Sequence, residues 1–206
     1  MSGLKYGEER EQFYSLTSLM FMAEPSDSTS NTLFNILKNE YFPLAKECRE
    51  LATLHDSLKQ KLEGIDENVF SEKLKQEYYN LFFDPHLIKV SPWQSSYTNS
   101  EGLLFQEPDY EARKLYTKWG FKVVHDNYPR DHIAIELDFM RLLSQKLNQG
   151  DNSSVDDMKF FLENHLLSWI DDFVSALLKG KSEFYLNFAR LVKAGYSFDK
   201  ELLVEL

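Results

Sequence analysis

Residues 154–177, SVDDMKFFLENHLLSWIDDFVSAL, carry the clearest structural signal in the chain. Their large side chains follow one another at steps of three or four residues: Met158, Phe161, His165, Trp169, Phe173 and Leu177. Because an α-helix turns once every 3.6 residues, this spacing places the whole set on one helical face. The stretch therefore predicts a long amphipathic helix with one buried and one solvated face.

The same period recurs along the rest of the chain. Residues 44–62 carry leucines, Cys48 and His55 at three- and four-residue steps, and Gly64 follows as a helix terminator. We interpret Cys48 as a core residue of this helix rather than a reactive thiol, and His55 as a core or boundary residue rather than a ligand. No run of residues is typical of a β-strand. The sequence predicts an all-α fold in a single domain, residues 1–206, with about eight helices. They fall at about 13–23, 33–37, 44–62, 67–83, 108–119, 130–147, 154–177 and 184–195.

Charge and hydropathy exclude several classes of protein. The chain has 206 residues, and 23 basic against 33 acidic side chains give a formal charge of −10. Proteins that bind nucleic acid or dock on anionic membranes need a basic surface, so neither class fits. No apolar run approaches the ~18 residues of a membrane span, and no secretory signal is recognisable. We expect a cytoplasmic protein with no nucleic-acid partner and no stable membrane insertion.

The motifs of the common enzyme classes are absent from the sequence. It contains no Gly-x-x-x-x-Gly-Lys-Ser/Thr phosphate loop, no Gly-x-Gly-x-x-Gly, no Gly-x-Ser-x-Gly elbow and no His-Glu-x-x-His zinc motif. Because the chain has one cysteine, it cannot form an internal disulfide or a cysteine-based metal cluster. We predict that the protein is not an enzyme and uses no cofactor or metal.

A long loop interrupts the helical pattern over residues 84–108. Proline, serine, asparagine and glycine punctuate it, yet it also contains large apolar residues, among them Trp93 and Tyr97. Loops longer than about 12–15 residues are either functional or disordered, and this one is too aromatic for a solvated linker. We therefore predict a functional site at this loop.

A second candidate is the stretch 128–132, Tyr-Pro-Arg-Asp-His, at the predicted start of the helix over 130–147. Asp131 would lie in the first helical turn, where the helix dipole favours a negative charge and backbone N–H groups lack partners. Its carboxylate is either a helix cap or a binding group. His132 either pairs with Glu136 or points into the loop, and we expect its imidazole to titrate between about pH 5.5 and 7.5.

Four segments combine these candidates into one pattern. They are Tyr78-Tyr79-Asn80-Leu81-Phe82, Ser91-Pro92-Trp93-Gln94-Ser95-Ser96-Tyr97, Pro129-Arg130-Asp131-His132 and His165-Leu166-Leu167-Ser168-Trp169. In order and spacing they resemble the TorD/DmsD/NarJ family of redox enzyme maturation proteins, and the similarity runs over about residues 13–192. The motifs stand closest to those of TorD and DmsD. In this chain Tyr128 replaces a family Glu, and Tyr78 stands where Trp is common.

The resemblance implies an all-helical cytoplasmic chaperone for an exported molybdenum-cofactor oxidoreductase. Its partners would be the twin-arginine signal peptide of that enzyme and the apo-protein, held until the cofactor is inserted. The chain would be a monomer or a domain-swapped dimer. The residues at signal-peptide-binding positions are Tyr78, Leu81, Phe82, Pro92, Trp93, Asp131 and His132, and Tyr97 joins them from the aromatic loop.

The chemistry of such a peptide agrees with the residue types. A twin-arginine signal presents two guanidinium groups and then an uncharged apolar segment. Aromatic side chains suit the apolar segment, and carboxylates suit the arginines. Two other functions stay open: a generic helical adaptor that binds an amphipathic segment of another partner, and a weak nucleotide-binding protein.

Overall fold

The all-helical prediction is confirmed by a computed structural model, which describes residues 6–83, 90–123 and 128–206. Its helices are α1 (Gly7–Phe21), α2 (Asp27–Asn39), α3 (Arg49–Lys61), α4 (Glu67–Tyr78), α5 (Ser95–Thr98), α6 (Glu107–Trp119), α7 (Ile133–Asn148), α8 (Ser154–Phe161), α9 (Leu167–Lys179) and α10 (Phe184–Val204). Two π-helical turns, Tyr79–Phe83 and Leu162–Leu166, extend α4 and join α8 to α9. These ranges contain no β-strand, and none of their helices is long and apolar enough to cross a lipid bilayer.

Helix α1 packs along α7 and also contacts α10. The Ser18 hydroxyl of α1 donates a hydrogen bond of 2.9 Å to the Ala134 carbonyl of α7. On the other side of α1, the Phe13 ring lies directly against the backbone of Gly195 in α10. The first long helix is thus held between two later ones.

A buried ion pair joins α1 to α10. The Nε atom of Arg10 lies 2.5 Å from Oδ1 of Asp199, and the Tyr14 hydroxyl donates to Oδ2 of the same carboxylate at 2.7 Å. All three side chains are inaccessible to solvent. Because an unpaired charge in the interior is costly, this pairing strongly favours one position of α10 relative to α1.

Glu77 ties the end of α4 to the start of α10. Its carboxylate accepts hydrogen bonds from the Ser182 hydroxyl at 2.8 Å and from the Phe184 N–H at 3.0 Å. A residue of α4 thereby caps the N-terminus of a helix that is distant in sequence. As a result, Tyr78, which follows Glu77, is a neighbour of Tyr185, which follows Phe184. Their ring centroids lie 6.1 Å apart.

The helix α3 begins later than predicted. The backbone turns at Leu44, whose φ is 65°, so the helix starts at Arg49. Cys48 is therefore the half-buried cap residue of α3 and not a residue inside it, which corrects the prediction. His55 is buried, and its Nε2 lies 3.0 Å from the Leu37 carbonyl, so its interpretation as a core residue is confirmed.

The predicted loop over 84–108 is only partly irregular. Its first residues, 84–89, lie outside the described residues, and Ser95–Thr98 form the short helix α5. Beyond α5, the side-chain oxygen of Asn99 accepts hydrogen bonds from the N–H groups of Glu101 and Leu103, at 3.1 and 3.0 Å. This half of the loop is therefore held in a defined conformation.

The last helix is longer than predicted, because Gly195 does not end it. The helix continues to Val204, and the glycine instead makes room for Phe13. A Cβ atom at position 195 would lie 2.0 Å from Cζ of that ring, closer than any van der Waals contact allows.

We expect Gly195→Ala to destabilise the protein by about 1–3 kcal/mol, because the added methyl group overpacks the contact with Phe13. At an exposed position inside a helix, Gly→Ala would instead stabilise by up to ~1 kcal/mol. The sign of the change in the free energy of unfolding therefore tells the two situations apart. Urea unfolding provides the measurement. Adding Phe13→Leu, which shortens the side chain, should make the double variant less unstable than the sum of the two single changes. A stabilising or neutral Gly195→Ala would contradict this packing.

Candidate functional site

The aromatic loop and the Pro-Arg-Asp-His turn lie side by side. The N–H of Ile133 donates to the Pro92 carbonyl, and the N–H of Gln94 donates to the Asp131 carbonyl, both at 2.9 Å. Trp93 and His132 sit between these bonds as the one antiparallel bridge of the described ranges. Two motifs that are nearly forty residues apart therefore form a single unit.

Asp131 is buried, and its side chain binds a residue of the aromatic loop and not the helix that follows it. Its Oδ2 accepts hydrogen bonds from the Ser95 N–H, at 2.7 Å, and from the Ser95 hydroxyl. Ser95 is the first residue of α5, so Asp131 caps that helix. Burial raises the pKa of the Asp131 carboxyl, and the Ser95 hydrogen bonds oppose the rise. The predicted place of Asp131 in the first turn of its own helix is wrong, because α7 begins at Ile133.

His132 is the N-cap residue of α7. Its Nδ1 accepts a hydrogen bond from the Ala134 N–H at 3.2 Å, and the ring meets Trp93 edge to face with centroids 5.2 Å apart. Burial lowers the pKa of the His132 imidazole to about 4. The imidazole is therefore neutral near pH 7, as an acceptor at Nδ1 requires, and the predicted titration between pH 5.5 and 7.5 is wrong. Of the two alternatives for His132, the pairing with Glu136 is not found, because Glu136 contacts Trp169 and His165. The ring lies instead against Trp93 of the aromatic loop.

Gln94 fastens the loop to the π turn between α8 and α9. Its side-chain Nε2 donates to the Asn164 carbonyl and to the Ser168 hydroxyl, both at 2.9 Å. Its Oε1 then faces Nδ1 of His165, also at 2.9 Å, so the Nδ1 of His165 carries the hydrogen. Burial lowers the pKa of His165 to about 4, which keeps this imidazole neutral. An extra residue in a helical turn is frequent at functional sites, and here it belongs to the segment that receives the loop.

Glu136 completes the polar interior of the site. Its Oε2 accepts a hydrogen bond of 3.3 Å from the Trp169 indole, and its Oε1 lies 3.5 Å from Nδ1 of His165. Burial raises the pKa of the Glu136 carboxyl well above the usual range, and the charge of Asp131 raises it further. In the folded protein Glu136 therefore keeps its proton to a higher pH than an exposed glutamate does. Tyr97 covers this side by stacking on Trp169, with ring centroids 5.4 Å apart.

An aromatic cluster lies at the end of α4, composed of Tyr78, Phe82, Phe83 and Tyr185. The Tyr78 ring is 5.2 Å from Phe82 and 6.3 Å from Phe83, and Phe82 meets Tyr185 edge to face at 5.4 Å. Burial raises the pKa of the Tyr78 phenol, and the nearby Tyr128 adds to the rise, so the Pro-Arg-Asp-His turn begins beside this cluster. Phe83 is 63% exposed and Tyr128 is 56% exposed.

The predicted site residues divide into two groups by exposure. Leu81, Pro92 and Asp131 are buried, and Leu81 packs against Gly180. The side chains that reach solvent in part are Tyr78, Phe82, Trp93, Tyr97 and His132. The first group therefore supports the surface, and only the second can contact a partner without rearrangement.

Sequence reasoning missed Gln94, Glu136 and Tyr185 as parts of the site. Glu136 stands one helical turn from buried Ile133 and Met140, a spacing that places it on the inward face of α7. A charged side chain is seldom fully buried, so the residue type alone argues against an inward position. Within the described residues, no three His, Cys, Asp or Glu side chains could together hold a metal ion.

Known proteins similar to this chain include a protein family, several chaperones and a crystal structure. The model of the nitrate reductase delta subunit family matches residues 44–175. The chain is 27% identical to chaperone protein TorD of Vibrio parahaemolyticus, over 97% of this chain and 96% of that protein. It is 30% identical to a chaperone protein TorD of Vibrio cholerae, over 77% of this chain and 73% of that protein. A crystal structure from Archaeoglobus fulgidus, described as a candidate redox enzyme maturation protein, superposes with a TM-score of 0.53 at 26% identity, over 89% of this chain and 91% of that one.

The Asp131–Ser95 contact predicts how much stability two variants of Asp131 should lose. Asp131→Ala leaves the buried Ser95 N–H without an acceptor and should cost about 1–3 kcal/mol of stability. Asp131→Asn retains a carbonyl oxygen for that N–H and should cost less. Urea unfolding at pH 7 measures both, with the exposed Asp171→Ala as control. Equal stability of Asp131→Ala and the control would show that the contact is not structural.

The buried Glu136 predicts a pH-dependent stability. Above the ordinary glutamate pKa the unfolded chain releases this proton while the folded chain keeps it, so rising pH disfavours folding. Glu136→Gln has the same shape and no proton to lose. We expect its melting temperature to rise relative to wild type between pH 5 and pH 8. The exposed Glu72→Gln should follow wild type, and parallel curves for wild type and Glu136→Gln would show that the pKa of Glu136 is not raised in the folded protein.

Proposed function

Because the chain belongs to the nitrate reductase delta subunit family, we propose that it is a TorD-like chaperone that assists the maturation of a molybdoenzyme. The family model covers residues 44–175, and the TorD relatives match over nearly the whole chain. We further propose that it works in the cytoplasm and is not an enzyme. In this proposal it binds the twin-arginine signal peptide, and the apo-form, of an exported client before the cofactor is inserted.

The observation that carries the peptide proposal is a set of exposed aromatic side chains at the end of α4 and at the start of the Pro-Arg-Asp-His turn. Phe83 and Tyr79 lie on the π turn after α4, at 63% and 50% exposure. Tyr128 is 56% exposed and is near enough to Tyr78, at the end of α4, to raise the pKa of its phenol. Soluble proteins rarely leave several neighbouring aromatic rings in water unless a partner covers them. Such rings offer a large contact area for an apolar segment at little entropic cost.

The charge of the protein suits the other half of such a peptide. The formal charge is −10, which attracts a segment with two arginines and raises its association rate. In this proposal the half-buried Trp93 and His132 form the edge of the binding surface. Asp131 and Gln94 act from below, because their hydrogen bonds hold that edge in place.

We expect a peptide with two arginines to bind at least ten times more tightly than the same peptide with two lysines. A guanidinium group presents five N–H donors in one plane, and an ammonium group cannot reproduce their geometry. Isothermal titration calorimetry with the full-length protein measures both affinities. Equal affinities would instead favour the generic helical adaptor, whose binding does not depend on guanidinium groups.

Tryptophan fluorescence locates the binding surface. Titration of the twin-arginine peptide should shift the emission of the wild-type protein, and Trp93→Phe should lose most of that shift. Trp119→Phe is the matched control, because the Trp119 indole is already engaged, donating to Asp157 at 2.6 Å. If the shift survives Trp93→Phe, the peptide binds away from the aromatic loop.

A further inference from the structure

The hydroxyl of Tyr185 is a buried polar group with no partner. Tyr185 lies in the first turn of α10, has no exposed surface, and contacts the rings of Phe21, Tyr78 and Phe82 at 5.9, 6.1 and 5.4 Å. No hydrogen bond to this hydroxyl exists among the described residues. Interior hydroxyls are almost always hydrogen-bonded, so the Tyr185 hydroxyl is open to one more bond. The hydroxyls of Ser30 and Tyr196 also have no partner among the described residues, but neither belongs to the aromatic cluster.

Glu24 places a negative charge next to the same cluster. It follows Phe21, the last residue of α1, by three positions, and the Phe21 ring touches Tyr185. Burial raises the pKa of the Tyr185 phenol, and the charges of Glu77 and Glu24 are among the groups that raise it further. The Glu77 carboxylate is occupied by the start of α10, whereas Glu24 is exposed and takes part in no salt bridge of the described residues.

We propose that Glu24 and the Tyr185 hydroxyl together bind a guanidinium group of the incoming peptide. The inference rests on the proposed function and names the residues that recognise arginine. The carboxylate accepts two N–H groups of the guanidinium side by side, and the phenol oxygen accepts a third. The half-buried Tyr78 ring turns aside to uncover the hydroxyl, and then stacks on the guanidinium plane.

This arrangement assigns arginine recognition to a residue other than Asp131. The Asp131 carboxylate is fully buried, and Ser95 already donates to it twice. Because Asp131 has no exposed surface, an arginine could reach it only if the side chains around it moved. The side chain of Glu24 is in water in the free protein, so only the half-buried Tyr78 ring has to move to complete the pair with Tyr185.

The first test is Glu24→Gln, which removes the charge and keeps the size of the side chain. Its affinity for the twin-arginine peptide should fall at least tenfold, and the remaining binding should depend less on salt. Glu205→Gln is the control: it removes an exposed carboxylate at the other end of α10, ~30 Å from Tyr185. The control should bind as wild type does.

The second test is Tyr185→Phe, which removes only the hydroxyl. If the hydroxyl has no partner in the free protein, the variant should be as stable as wild type or more so, yet bind the peptide about five- to tenfold more weakly. Tyr196→Phe is the matched control, since the Tyr196 hydroxyl is also buried without a partner in the described ranges but lies about 16 Å further along α10. It should leave binding unchanged.

The outcomes separate this inference from the proposed function. If the wild-type protein does not bind the twin-arginine peptide, both fail. If it binds and either Glu24→Gln or Tyr185→Phe binds equally well, the inference fails and the proposed function stands. A lower melting temperature for Tyr185→Phe would also overturn the inference, because it would show that the hydroxyl already has a bond in the free protein.

Discussion

The carboxylate of Asp131 is buried, and a buried carboxylate needs hydrogen-bond donors from the protein itself because water cannot supply them. Ser95 supplies them from another segment of the chain, and in doing so it determines where the aromatic loop runs. The same constraint directs Trp93 towards His132 and turns Gln94 inward to the π turn. The surface beside the aromatic cluster is thus shaped by polar contacts beneath it as much as by the rings themselves.

The long helices could be predicted because burial imposes a period on the sequence. The π turn at Leu162–Leu166 could also have been inferred. From Phe161 to Leu177 the buried residues advance in four successive steps of four, which in a regular helix accumulate roughly half a turn of rotation. An extra residue in one turn removes most of that drift and keeps the set on one face. The predicted helix was right, and its unbroken run of four-residue steps carried more information than we used.

The site was only partly predictable. The four motifs indicated the family, and the family match and the TorD relatives confirm it. The roles of single residues depended on tertiary contacts that no local pattern shows. From its place in the sequence, Asp131 was expected to cap the helix that follows it, but it caps α5. Tyr185 reads as ordinary core, and its orphaned hydroxyl becomes apparent only when its neighbours are known.

The bonds between Pro92 and Ile133 and between Gln94 and Asp131 also bear on how such proteins can diverge. Surface loops usually accommodate insertions and deletions at little cost. Here one added or lost residue between 92 and 95 would shift the register of the bridge and pull Gln94 or Ser95 off its partner. Changes of length should therefore be selected against in that stretch and accumulate elsewhere on the surface, so that a segment that looks like a variable connection evolves like part of the core.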